Sequence, residues 1–126
     1  MPTVLVVEDE VNVRKLVAVN LISRGYAVLE AGNVQQALAV LRTATPDLMM
    51  LDIKLPDFTG WEFLVRLDAA PDQTRRFPVV VMTASVMDAQ VDLDQFPAVV
   101  DVLVKPFSAA KLVAAVERAL RTAIQH

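Results

Sequence analysis

Four places in this sequence of 126 residues carry side chains that could act together. Glu8, Asp9 and Glu10 follow the apolar run Val4-Leu5-Val6-Val7. Asp52 directly follows Leu48-Met49-Met50-Leu51. Thr83, Ala84 and Ser85 follow Val79–Met82, and Lys105-Pro106 closes the run that begins at Val99. Three carboxylates brought close together repel and raise one another's pKa. A hard divalent cation relieves that conflict, and Mg²⁺ prefers oxygen ligands, uses only one or two carboxylates and keeps room for water and phosphate. With Glu8, Asp9 and Asp52 ionised, Mg²⁺ and Lys105 nearly balance the charge. Thr83 adds a hydroxyl donor and Lys105 a mobile ammonium. Phosphoryl transfer needs mainly in-line positioning and charge neutralisation, so these few groups suffice in principle.

Each residue also has a plainer reading. Glu8 and Asp9 could complement the positive N-terminus of a following helix. Lys105 could be a structural ion-pair partner of Asp52, since such pairs also occur without function. A carboxylate placed straight after a continuous apolar run is costly unless something pairs with it. Thr83 alone is uninformative. Asp57 and Gly60 read as turn and helix-entry residues, and Trp61, Phe63 and Leu64 as the packing face of a helix. Whether the groups meet depends on the elements that carry them.

Five strand candidates alternate with five helical stretches. The strands are Thr3–Val7, Tyr26–Glu30, Leu48–Leu51, Val79–Met82 and Val99–Leu103. Their apolar character is continuous rather than alternating, which suits parallel strands covered on both faces. The helical stretches are Val11–Arg24, Val34–Thr43, Thr59–Asp68, about Val86–Gln95, and Ala109–Ala123. Gly25 stands where a left-handed residue ends the first helix. Asn33 and Gln36 have the spacing of a capping box, and Ser108 is placed to cap the last helix. Phe96-Pro97 cuts the fourth stretch short. Strict alternation implies one domain over residues 1–126, an α/β fold with a parallel sheet and helices on both faces. In such sheets the chemistry lies beyond the carboxyl ends of the strands, and all four groups fall there.

Composition removes several classes. A hydrophobic fraction of 55% excludes a disordered chain. The absence of cysteine excludes disulfides and thiolate metal sites, and makes a reducing cytoplasm the simplest home. A formal net charge of -3 gives no electrostatic footprint for direct nucleic-acid or membrane binding. No apolar run is long enough to span a bilayer, and the N-terminus does not read as a signal peptide. The one histidine, His126, is the last residue and reads as a frayed end.

Taken together, these segments resemble the response-regulator receiver domains of two-component signalling. Val4-Leu5-Val6-Val7-Glu8-Asp9-Glu10 is similar to their opening. The segment from Pro46 to Gly60 is similar to their phosphoacceptor segment. Val80-Val81-Met82-Thr83-Ala84 and Leu103-Val104-Lys105-Pro106-Phe107 match the two remaining signatures. The resemblance implies a flavodoxin-like fold with strand order 2-1-3-4-5. It implies that Asp52 is the phosphoacceptor, taking its phosphoryl group from a sensor histidine kinase or phosphotransfer protein. Asp9, Asp52, the backbone carbonyl of Lys54 and, through water, Glu8 would hold Mg²⁺. Thr83 and Lys105 would contact the phosphoryl group, and the Lys105–Pro106 bond would be cis. Lys54 and Ser85 occupy positions at which the family tunes acyl-phosphate lifetime. The function implied is a switch that catalyses only its own phosphorylation and dephosphorylation. Its readout face would be the fourth helical stretch, the fifth strand and the last helix, serving a downstream protein, an output domain outside this sequence, or a homodimer.

Two departures stand out. The family usually carries an aromatic three residues before the lysine, and here that position is Val102, too small and stiff to swing as a gate. The Gly-Ala usual before the fifth strand is replaced within Phe96-Pro97-Ala98-Val99-Val100. A phosphohydrolase with an aspartyl nucleophile would usually have a second aspartate where Lys54 stands. A flavin module would need a phosphate loop where Glu8-Asp9-Glu10 stands. A degenerate receiver used only for docking would not need all four site elements.

Overall fold

The computed structural model describes residues 1–69, 77–85 and 93–124. Within them, five strands form one fully parallel sheet: β1 (Thr3–Val7), β2 (Ala27–Ala31), β3 (Leu48–Asp52), β4 (Val79–Thr83) and β5 (Val99–Val104). The order is β2-β1-β3-β4-β5, as the family resemblance implied. The described helices are α1 (Val11–Ile22), α2 (Val34–Thr43), α3 (Gly60–Ala69) and α4 (Ala109–Ile124). Four α-helices are thus found among the described residues where five were expected. The expected stretch Val86–Gln95 lies outside the described residues up to position 92. Its described end, Leu93–Gln95, is a single 3-10 turn rather than α-helix, in keeping with the proline that follows at Pro97.

The two-residue period of the strands sorts the core into two layers. Val4, Val6, Leu48, Met50, Val80, Met82 and Leu103 pack under α1 and α4, against Val17, Leu21, Leu112 and Val116. Leu5, Val7, Met49, Leu51, Val79 and Val81 face the other way, against Val34, Ala37, Phe63, Leu64 and Phe96. Every residue of β3 and β4 is buried, which is why neither strand alternates in sequence. The rings of Trp61 and Phe96 meet at 5.0 Å in a tilted arrangement, joining the first turn of α3 to the segment that leads into β5.

Local chemistry fixes where the helices begin. Asn33 caps α2, its side chain accepting the Gln36 N–H. Gln36 reaches back to the Gly32 N–H rather than to that of Asn33, a capping box displaced by one residue. At α3, Thr59 Oγ1 accepts from Glu62 N–H while Glu62 Oε1 accepts from Thr59 N–H, a reciprocal box. Ser108 Oγ accepts from Lys111 N–H at the start of α4. Gly25 has φ of 91°, the left-handed turn that only glycine adopts without strain.

Candidate functional site

Alternation carries the site residues onto one side of one rim. Val4 and Val6 belong to the α1/α4 layer, and two residues on stands Glu8. Leu48 and Met50 belong to it, and two on stands Asp52. Leu103 belongs to it, and two on stands Lys105. The three side chains therefore converge where β1, β3 and β5 end. Lys105 Nζ lies 2.5 Å from Glu8 Oε1 and 3.2 Å from Asp52 Oδ2. Oxygen atoms of Glu8, Asp9 and Asp52 all lie within 4.8 Å of one another. Glu8 and Asp52 are buried and Asp9 is exposed.

Backbone bonds hold the rim together. Lys105 N–H donates to the Thr83 carbonyl and Ile53 N–H to that of Met82. Thr83, buried, donates its hydroxyl to the Ser85 carbonyl and accepts the Ser85 N–H. Asp52 Oδ1 accepts the Lys54 N–H. The Lys105–Pro106 bond is cis, as expected. Gly60 backs Asp52: a Cβ there would lie 2.8 Å from the Asp52 carbonyl oxygen and 3.0 Å from Ile53 Cα, so the chain can pass only without a side chain.

Charge is unevenly shared. Burial pushes the Glu8 carboxyl up to about 7, with Asp52 pushing the same way and Lys105 opposing. Burial also acts to lower the Lys105 ammonium, but its bond to Glu8 and the Asp52 charge outweigh this and hold it above the usual lysine range. Three acids and one cation leave net negative charge at the rim, and the donors are all oxygen. That set fits Mg²⁺ in kind, and two of the three carboxylates are as many as the ion ordinarily uses.

Two contacts were not read from the sequence. Asp57, which reads from the sequence as a turn residue, accepts N–H bonds from Val34 and Gln35 at 3.1 Å each and so binds the loop after β3 to the start of α2. It also accepts the Phe58 N–H. Burial works against its ionisation, yet the backbone donors hold its carboxyl below the usual value. Arg14, on α1, donates to the Glu8 carbonyl at 2.8 Å and pairs with Glu30 at 3.1 Å, fixing the turn that presents Glu8 and Asp9. Arg14 lies one helical turn after Glu10, a spacing that pointed only to α1 itself.

Residues 4–117 match the family model described as the response regulator receiver domain. The chain belongs to that family. It is 38% identical over 125 residues to the phosphate regulon transcriptional regulatory protein PhoB of Pseudomonas aeruginosa, covering 94% of this chain and 52% of that protein. It is 34% identical to PhoB of Escherichia coli over 118 residues, covering 94% and 51%. The chain thus spans about half the length of the curated relatives it matches. Among solved structures it is similar to response regulator TrrA of Thermotoga maritima in complex with Mg²⁺-BeF, at 28% identity and a TM-score of 0.80, covering 94% of this chain and 99% of that one. It is also similar to chemotaxis response regulator CheY4 of Vibrio cholerae, at 27% identity and 0.79, covering 94% and 98%. Receiver domains of response regulators are signalling switches rather than metabolic enzymes. No described helix of this receiver is long and apolar enough to cross a membrane.

Val102, at the position of the usual aromatic, is partly buried beside the layer that contains Val81 and Phe96. A branched side chain of this size has no ring to move and one strongly restricted torsion.

Proposed function

We propose that this receiver is a phosphorylation-dependent switch whose acceptor is Asp52. The observation that carries this reading is a buried carboxylate at a strand end, paired to Lys105, with Glu8 and Asp9 in the same cluster. A carboxylate oxygen of Asp52 attacks the phosphorus of a phosphohistidine on a sensor kinase or phosphotransfer protein. The O–P bond forms as the P–N bond breaks, and the imidazole leaves with the electron pair and takes up a proton. Lys105 supplies positive charge to the phosphoryl oxygens, and Thr83 turns its hydroxyl from Ser85 towards them. Asp9, Asp52 and the Lys54 carbonyl would hold Mg²⁺, with Glu8 acting through water. When bound, the cation neutralises charge shared between the carboxylates and the phosphoryl oxygens. Water attack on the same phosphorus later returns Asp52 and releases phosphate, so the domain turns over only itself. The side chain of Lys54 would help to set that lifetime.

Phosphorylation changes charge and bonding at the rim and biases two states of a distant surface. The face proposed for readout joins the segment before β5, β5 itself and α4, where Asp101 and Arg118 pair at 2.9 Å. Its partner would be an output domain outside this sequence, a separate protein or a second copy, in the cytoplasm. Incubation with acetyl phosphate and Mg²⁺, read by intact mass, should add one phosphoryl group to the wild-type chain and none to Asp52→Asn. Labelling that persists in Asp52→Asn would show that the acceptor lies elsewhere.

A further inference from the structure

We propose that Arg14 is a positioning residue that sets the ion preference of the rim. By pinning the peptide unit between Glu8 and Asp9, it makes the acidic cluster stiff enough to favour Mg²⁺ over the larger Ca²⁺. The proposal rests on the reading of Glu8, Asp9 and Asp52 as the cation site and adds a residue from outside that cluster.

The turn from β1 into α1 has little local support. Among the described residues, the Glu10 side chain caps no N–H of α1, and the first turn of that helix carries no acid. Asp9 is exposed, so core packing does not set its place. What holds the turn is bonding to the backbone of Glu8. Its N–H donates to the Ala31 carbonyl at 3.0 Å, which ties it to the end of β2. Its carbonyl accepts from Arg14 Nη1 at 2.8 Å. Because a peptide unit is planar, fixing that carbonyl also fixes the direction in which the chain enters Asp9.

The guanidinium is itself held. Arg14 Nε donates to Glu30 Oε1 at 3.1 Å, and Lys15 donates to the other Glu30 oxygen at 3.1 Å. The Arg14 side chain is 17% exposed and lies close against Gly32, where an added Cβ would stand 3.1 Å from Nη1. Two bonds thus leave one rigid planar fork, one to the residue after β1 and one to β2. Lysine, a single nitrogen on a flexible stem, cannot reproduce that pair of bonds.

Stiffness bears on the choice of ion. Mg²⁺ demands near-ideal octahedral geometry at about 2.0–2.1 Å, whereas Ca²⁺ accepts more oxygens at about 2.3–2.6 Å in flexible arrangements. Acids fixed relative to one another meet the stricter demand. A cluster in which Asp9 moves freely adapts to either ion and loses the advantage for the smaller one.

Two variants of the full chain separate stiffness from charge. Arg14→Lys keeps the charge and removes the fork. Glu30→Ala leaves Arg14 in place and removes its lateral hold, and neither result hangs on the folding of the other variant. The negative charge lost in Glu30→Ala weakens both divalent ions alike, so the ratio of affinities isolates stiffness. Calorimetry with Mg²⁺ alone and with Ca²⁺ alone supplies that ratio. In both variants the Mg²⁺ affinity should fall roughly tenfold, the usual cost of losing an outer partner of a metal site. Ca²⁺ affinity should fall less, by about threefold at most. Amide hydrogen exchange in metal-free buffer should quicken roughly tenfold at residues 8–10, as expected for one lost charge-assisted hydrogen bond, with Leu48–Asp52 of β3 unchanged. An unchanged affinity ratio, or unchanged exchange at residues 8–10, would overturn the proposal. Exchange that quickens equally in β3 would also overturn it and make Arg14 a general stabiliser. A wild-type chain that binds no Mg²⁺ would sink the cation reading together with this one. Wild-type binding with the same ratio in both variants would sink this one alone.

Discussion

Asp57→Ala should destabilise the domain through a helix that is 23 residues away in sequence. The first N–H groups of α2 have no partners within the helix. Val34 and Gln35 donate to Asp57, and Gln36 donates to Asn33, so Asp57 satisfies two of these three. Removing a capping acceptor costs about 1 kcal/mol. The charge interaction with the helix N-terminus adds roughly 0.3 kcal/mol, taken at the low end because Asp57 is exposed and screened. A loss of about 1.3 kcal/mol lowers the melting temperature of a domain of this size by roughly 5 °C. Asp57→Asn keeps one acceptor oxygen and should fall between wild type and Asp57→Ala. The folded carboxyl is held below its ordinary value, so the stabilisation is fully present above the unfolded value, near 4, and fades as pH falls through the lower folded one. Thermal and urea unfolding followed by circular dichroism at pH 7 and pH 3 measure both effects. Asp57→Ala melting within about 1 °C of wild type, or an Asp57→Asn deficit of equal size at both pH values, would refute the tether.

Two further outcomes follow from the same geometry. Mg²⁺ at a hundred times its dissociation constant should stabilise the wild-type chain by about 2.7 kcal/mol, seen as a rise in melting temperature. Asp9→Asn should flatten that response, and chelation should abolish phosphoryl uptake without unfolding the domain. Gly60→Ala places a methyl group against backbone atoms of Asp52 and Ile53, so it should cost about 1–3 kcal/mol and slow phosphoryl uptake. Normal stability and uptake in that variant would show that the loop yields more readily than the contact distances imply.

The inner strands β1, β3 and β4 were legible because burial on both faces leaves a continuous apolar run; the edge strands β2 and β5 are only partly buried, yet every boundary fell within one residue of the observed one. The clustering of the candidate site residues was legible for a related reason. Polar residues that interrupt such runs at their C-terminal ends must meet on one rim if the sheet is parallel, and Glu8, Asp52 and Lys105 do. The contacts that stayed hidden are of two kinds. Asp57 on α2 and Arg14 on the Glu8 carbonyl join segments through tertiary contact, and no local spacing encodes them. The Thr59–Glu62 box was encoded locally, as a threonine followed three residues later by glutamate, and could have been read. Phe96-Pro97 was expected to cut the fourth helical stretch short, and its described end, Leu93–Gln95, is a 3-10 turn.

The sequence holds a single tryptophan. Its indole leans on Phe96, and its neighbour in the chain, Gly60, touches the backbone of Asp52. Excited to the red of the tyrosine band, emission from the described residues therefore originates at one known spot, between the loop that follows Asp52 and the approach to the edge strand. The molecule comes with its own optical probe, and titrations of ion or phosphodonor can be followed in native protein without attaching a dye.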